Sequence, residues 1–146
     1  MPENQNEKWM RHALAEAQLA LKKDEVPVGA VVVHEDKIIG RGHNQVESLN
    51  DPTAHAEIIA IGAACNYLSS WRLSGASLYV TIEPCAMCAG AIGWSQASRL
   101  VYGADDPKKG YTLIQGVLLH PKTAVTSGIL AEECGEKVAK FFKSKR

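Results

Sequence analysis

The chain has 146 residues, of which 46% are hydrophobic and 22% charged, and its formal net charge is zero. That length suits a single domain over 1–146 with a core large enough to need neither disulfide nor metal for stability alone. Zero net charge excludes the chain-wide basic field of a general nucleic-acid binder, so any contact with nucleic acid has to be local. The N-terminal MPENQNEKW lacks the apolar stretch of a signal peptide. The charge-free runs 58–71 and 84–98 fall short of the ~18 residues of a membrane span. A cytoplasmic location with no membrane partner is therefore expected. Four cysteines in a reducing compartment point to metal or redox chemistry rather than disulfides.

Apolar residues at helical spacing predict a first helix over 9–21, ended by Lys22-Lys23-Asp24-Glu25 and blocked by Pro27. Residues 28–33 are β-branched and apolar, the pattern of a buried strand. Residues 34–37 form a hairpin turn, and 38–43 return as the antiparallel partner. A polar loop follows over 44–50. The second helix is expected to begin within Asp51-Pro52-Thr53, with Asp51 or Thr53 as cap, and to be buried on most sides, because no charge follows Glu57 until Arg72. Strand three is placed at 77–82, a helix at 85–94, strand four at 99–103 and a charged loop at 104–110. Residues 111–119 are open between a loop and a short helix. Strand five is placed at 123–126 and a last amphipathic helix at 130–142. Strands alternating with helices after a hairpin predict an α/β fold: three layers, α/β/α, around a mixed five-stranded sheet.

Two short stretches carry the chemistry. In Asp51-Pro52-Thr53-Ala54-His55-Ala56-Glu57 a histidine and a carboxylate precede an apolar run, and in Glu83-Pro84-Cys85-Ala86-Met87-Cys88 two thiols stand at ligand spacing. Alone, an H-x-E triplet is ordinary, and Pro-Cys-x-x-Cys fits a redox pair or half of a structural zinc site equally well. Together they suggest more. Catalytic zinc takes three ligands from neutral imidazole and thiolate and leaves a fourth place for water. Cys85 and Cys88, three apart at a helix start, face one way, and the helix dipole favours their thiolates. His55 opens another helix after another strand, and such ends gather at the carboxyl edge of an open α/β sheet.

The expected site is His55, Cys85 and Cys88 on one Zn2+, which lowers the pKa of water towards ~7, with Glu57 shuttling protons. Residues two apart lie about 200° around a helix, so His55 and Glu57 can serve one site only from its first turn. Glu83 is the rival carboxylate, expected in a loop or behind the site. Cys65 and Cys134 are expected to be buried small side chains. Cys65 as a fourth ligand would make the site closed and structural. His12, His34, His43 and His120 have no partner at ligand spacing.

The joined motif is the H-x-E…P-C-x-x-C signature of the zinc nucleobase deaminases. NDPTAHAEI, LYVTIEPCAMCAGAI, RLVYGADDPKKG and GILAEEC…KFFKSKR extend the likeness, and over 9–146 the chain resembles the bacterial tRNA-specific adenosine deaminases. The resemblance implies a cytidine deaminase-like fold and a homodimer whose partner subunit adds to the RNA surface. It implies deamination of adenosine to inosine at the wobble position of an arginine tRNA, at C6 of a base flipped from the anticodon loop. It further implies zinc on His55, Cys85 and Cys88, Glu57 as proton shuttle, and substrate contacts at Asn44, Val26, Pro27, Val28, Asp106 and Lys108. Where the family loop commonly continues with small residues, this chain has Lys109-Gly110-Tyr111-Thr112-Leu113.

AIGWSQ resembles the guanine deaminases, which makes deamination of free guanine, cytosine or a nucleoside the alternative. A structural zinc or RNA-binding module is the non-enzymatic one. Lys137, Lys140, Lys143, Lys145 and Arg146, with Phe141 and Phe142 among them, suit a grip on single-stranded RNA. They suit equally an ordinary helix with Glu132, Glu133 and Glu136 first and Glu133–Lys137 and Glu136–Lys140 as pairs.

Overall fold

A computed structural model of the chain describes residues 4–145. Residues 1–3 and Arg146, the last of the basic C-terminal residues, lie outside them. Helix α1 (Gln5–Lys22) starts where the Asn4 side chain accepts the N–H of Asn6 at 2.8 Å. Its Trp9, Met10, Ala13, Leu14, Ala17 and Ala20 form the buried stripe that their spacing predicts. Strands β1 (Gly29–His34) and β2 (Lys37–His43) pair antiparallel through Glu35 and Asp36, both at positive φ, the turn that matches hairpin twist. A short helix α2 (Val46–Leu49) then leads to α3 (Ala56–Leu68). Strand β3 (Ser77–Ile82), helix α4 (Ala86–Ser95) and strand β4 (Arg99–Ala104) follow. A single 3-10 turn (Tyr111–Leu113), strand β5 (Ala124–Thr126) and helix α5 (Ala131–Ser144) complete the order.

The sheet has five strands in the order β2-β1-β3-β4-β5. β1 is antiparallel to both of its neighbours, while β3, β4 and β5 run parallel. This is the mixed α/β/α sheet expected. Alternation along the strands divides the core. Ala30, Val32, Leu78, Val80, Leu100 and Tyr102 pack with α3 and α4, whereas Val31, Val33, Tyr79 and Val101 pack with α1 and α5.

One contact sets the depth of α3. Its Ala56, Ala60 and Ala64, spaced four apart, lie on Gly40 and Gly42 of β2. A Cβ on Gly42 would run into the Ala56 carbonyl, and one on Gly40 into the Ala60 carbonyl. The strand therefore has to be bare there for the helix to settle against its backbone.

Several expectations need correction. Helix α3 does not begin within Asp51-Pro52-Thr53 but at Ala56, with His55 as N-cap. Asp51 instead accepts the N–H and hydroxyl of Thr53, at 2.8 and 2.7 Å, so its oxygen closes a local turn and caps nothing. The loop 44–50 contains α2. Helix α3 is not buried on most sides: Ala56, Glu57, Ala60 and Ala64 are buried, while Tyr67 stands 58% exposed. The pairs foreseen along α5 give way to ties across to α1 and the turn after it. Lys137 donates to Gln18 at 2.8 Å, Glu133 meets Arg11 at 3.5 Å, and Lys145 donates to Asp24 Oδ2 at 2.7 Å. No helix among the described residues is long and apolar enough to cross a membrane.

Candidate active site

Two helix starts meet at the carboxyl edge of the sheet. His55 is the N-cap of α3 and Cys85 the N-cap of α4, both with extended backbone and neither side chain spent on a cap hydrogen bond. Each instead gives its carbonyl to the first helical bond, from Ile59 N to His55 O at 3.1 Å and from Ala89 N to Cys85 O at 2.8 Å. That leaves imidazole and thiol free to turn towards one another. His55 Nδ1 lies 3.6 Å from Cys85 Sγ and 3.5 Å from Cys88 Sγ. Among the described residues these three ligand atoms form the group able to hold a metal ion, all within 4.8 Å of one another. One imidazole nitrogen and two sulfurs at two positive helix ends form the donor set that zinc selects, so the residues fit the expected ion. Cys65, half-buried on α3, is not among them.

The protonation pattern of the metal-free site follows from crowding. The Cys88 thiol and then His55 hold Cys85 down at about 4. Cys88 is pushed up, first by its contact with Cys85 and then by burial, so one sulfur carries the charge and the other the proton. His55 is raised, chiefly by Cys85, with burial and the Lys109 ammonium pulling the other way. Glu57, in the first turn of α3 and 3% exposed, is lifted by burial to about 7. A carboxyl with that value can both take and give a proton at neutral pH.

His55, Glu57 and Cys85 line a cavity of about 650 Å3, with Cys88 buried behind them. Asn44, Val26, Val28 and Asp106, for which the resemblance implies substrate contacts, are among its lining residues. The Asn44 N–H is fixed on the Val28 carbonyl at 3.1 Å. Pro27 is buried and does not form part of the wall, and Lys108 is exposed beside the cavity while Lys109 lines it.

Two buried carboxylates hold the rim, and sequence reasoning overlooked the first, Glu25. Glu25, taken for part of a helix end, is 2% exposed and accepts Glu47 N at 3.1 Å, Ser48 N at 2.6 Å and Ser48 Oγ at 2.6 Å. Burial alone would raise its pKa, but these donors outweigh it and hold the carboxyl low. It thereby fixes α2, whose own N-cap Gln45 makes no side-chain bond. Glu83, the rival carboxylate of the sequence, lines the cavity and does the same for the loop after β4, accepting Asp106 N at 3.0 Å, Thr112 N at 3.0 Å and Thr112 Oγ1 at 2.7 Å. Phe141 of α5 also lines the cavity. No periodicity announces these contacts. A lone acid beside a proline is the single trace that Glu83 leaves in the sequence.

Known proteins are similar to this chain in sequence and fold. The profile of the MafB19-like deaminases matches residues 4–145. A tRNA-specific adenosine deaminase of Bacillus subtilis is 46% identical, over 97% of this chain and 91% of that protein. A solved structure from a study of A-to-I editing by tRNA:A34 deaminases is 46% identical and covers 89% of this chain and 98% of its own, with a TM-score of 0.84. A guanine deaminase of Bacillus subtilis is 40% identical, with a TM-score of 0.65 over 68% of this chain and 64% of its own. Identity at that level over nearly the full length, on one fold, means that the chain is an enzyme belonging to the family of the bacterial tRNA-specific adenosine deaminases.

Proposed function

We propose that this protein hydrolyses adenosine to inosine and ammonia at the wobble position of an arginine tRNA, as a zinc enzyme working as one deaminase domain in the cytoplasm. The observation that carries the chemistry is the juxtaposition of His55, Cys85 and Cys88 with a buried carboxyl, Glu57, lifted to about 7. His55, Cys85 and Cys88 would hold the ion, which when bound supplies the Lewis acidity that makes water a nucleophile at neutral pH. Glu57 takes a proton from the attacking water at its carboxylate and returns it to the amino nitrogen leaving C6. Asn44, Val26 and Val28 orient the base on one side, with Pro27 packed beneath that wall, and Asp106 closes the other with Lys108 outside it. The cavity of about 650 Å3 is in the range that encloses a nucleoside-sized ligand, as a base flipped out of an anticodon loop requires.

A homodimer gains support from the apolar side chains that α3 and α4 leave open. Tyr67 is 58% exposed, Met87 39% and Trp94 80%, on two helices without a charge beyond Glu57. Light scattering on the eluting protein should give twice the chain mass.

The likeness to a guanine deaminase keeps a free base as the second reading. Incubation of the zinc-loaded protein with an arginine tRNA anticodon stem-loop should yield inosine. No inosine, together with rapid ammonia release from guanine or cytosine, would move the substrate to the free base. A structural zinc module would need a fourth protein ligand and would ignore replacement of Glu57.

A further inference from the structure

We propose that Lys109 grips the phosphodiester beside the reacting nucleotide, and that Glu83 is the positioning residue that holds it there. The proposal rests on RNA being the substrate. Two lysines line the cavity, Lys23 and Lys109. Lys23 already meets His43 Nε2 at 3.3 Å. The Lys109 ammonium has no hydrogen bond or ion pair among the described residues, although Lys109 lines the cavity together with Cys85 and Asp106. A cation left unpaired at the mouth of a base-sized cavity is suited to an anion attached to that base. In a nucleotide the phosphate occupies that outer position, whereas a free base brings none.

The backbone under Lys109 is fixed unusually well for an exposed loop. Its N–H and that of Lys108 both donate to Asp106 Oδ1, at 3.1 and 3.0 Å. Gly110 N donates to Asp106 O at 2.9 Å, Gly110 bridges to Cys85, and Tyr111 N donates to Pro84 O at 2.9 Å. Glu83 sits inside this turn, with Asp106 on one oxygen and Thr112 on the other. A side chain at Gly110 would strike the Glu83 carboxylate, which is why the loop closes over it so tightly. The residue that immediately precedes Pro84-Cys85 thus ties Cys85 to the loop carrying the cation. Lys108, next to Lys109, projects outside the cavity.

The test uses the full zinc-loaded chain and an anticodon stem-loop RNA, with kcat and KM measured over a range of salt. Lys109→Ala should raise KM several-fold at unchanged kcat, because it removes binding shared by ground and transition states. It should also make the slope of log(kcat/KM) against log[salt] shallower by about 0.7, one single-strand phosphate contact. Lys109→Arg should restore the slope. Glu83→Gln should reproduce the Lys109→Ala phenotype with zinc content intact, and the double variant should lose no more than either single. Inosine formation with KM and slope unmoved in Lys109→Ala overturns the assignment alone, and so does a loss that follows Lys108→Ala instead. Absence of inosine from the unaltered protein overturns the RNA reading and this assignment with it. A Glu83→Gln variant that lowers kcat at constant KM overturns the positioning role.

Discussion

His55 Nδ1 lies 3.6 Å from Cys85 Sγ, and each of the two residues is the N-cap of its helix. An N-cap has non-helical backbone, so its side chain can leave the helix end sideways. This resolves the difficulty of His55 and Glu57, which would lie about 200° apart if both were helical. His55 stays outside α3, Glu57 enters its first turn, and both reach one point.

The three donors predict one zinc per chain. Metal analysis of purified protein should find it, and His55→Ala or Cys88→Ser should weaken retention at least ~100-fold, the upper end of what even indirect ligand support contributes. Full occupancy in both variants would remove this set as the metal site.

Glu57→Ala should keep zinc and the far-ultraviolet spectrum while turnover falls at least ~100-fold, the scale of a general acid–base group. Retained turnover would move the proton-transfer role elsewhere.

In metal-free protein the contribution of Glu57 to stability should fall as pH rises. Burial lifts Glu57 from 4.5 to about 7, so between those values the folded chain holds a proton that the unfolded chain has released. That contribution is full below 4.5 and is lost through 7, by up to about 3 kcal/mol. Cys85, held at about 4, contributes in the opposite sense, so the Glu57 part is read as a difference between two chains that share Cys85. Urea unfolding of chelator-treated protein at about pH 5 and about pH 8 should show the unaltered chain losing stability relative to Glu57→Gln. An equal change in both would contradict the burial account.

Gly42→Ala should push α3 away from β2, since the new methyl meets the Ala56 carbonyl at the first residue of the helix. Overpacking of this kind destabilises by about 1–3 kcal/mol. Because the displaced turn carries Glu57 and adjoins His55, activity should fall further than stability at a temperature where the variant remains folded. Thermal melting alongside zinc titration separates the two effects. A variant with unaltered melting would mean that the helix does not rest on the strand there.

Exposed apolar helices mark the limit of pattern reading. The charge-free stretch 58–71 suggests a helix buried all round, yet Tyr67 and Trp71 are each 58% exposed in the single chain. Composition registers that a surface is apolar, and not which molecule covers it.

The sequence by itself determined the strands, through β-branched runs such as 28–33, and carried the ligand pattern, His55 with Cys85 and Cys88, that the fold brings within 4.8 Å. Tertiary structure decided where the chemistry points. The start of α3 moved from Asp51-Pro52-Thr53 to Ala56 because Asp51 closes a turn with Thr53, while Ala56 settles on Gly42 across a strand far away in the chain. Glu25 and Glu83 became the anchors of two rim loops for the same reason. Their partners, Ser48 and Thr112, stand 23 and 29 positions away, and a hydrogen bond over that separation leaves no local period to read. Local pattern selects elements because helix and strand repeat every few residues; long-range contact, which has no repeat, fixes the angle at which they meet.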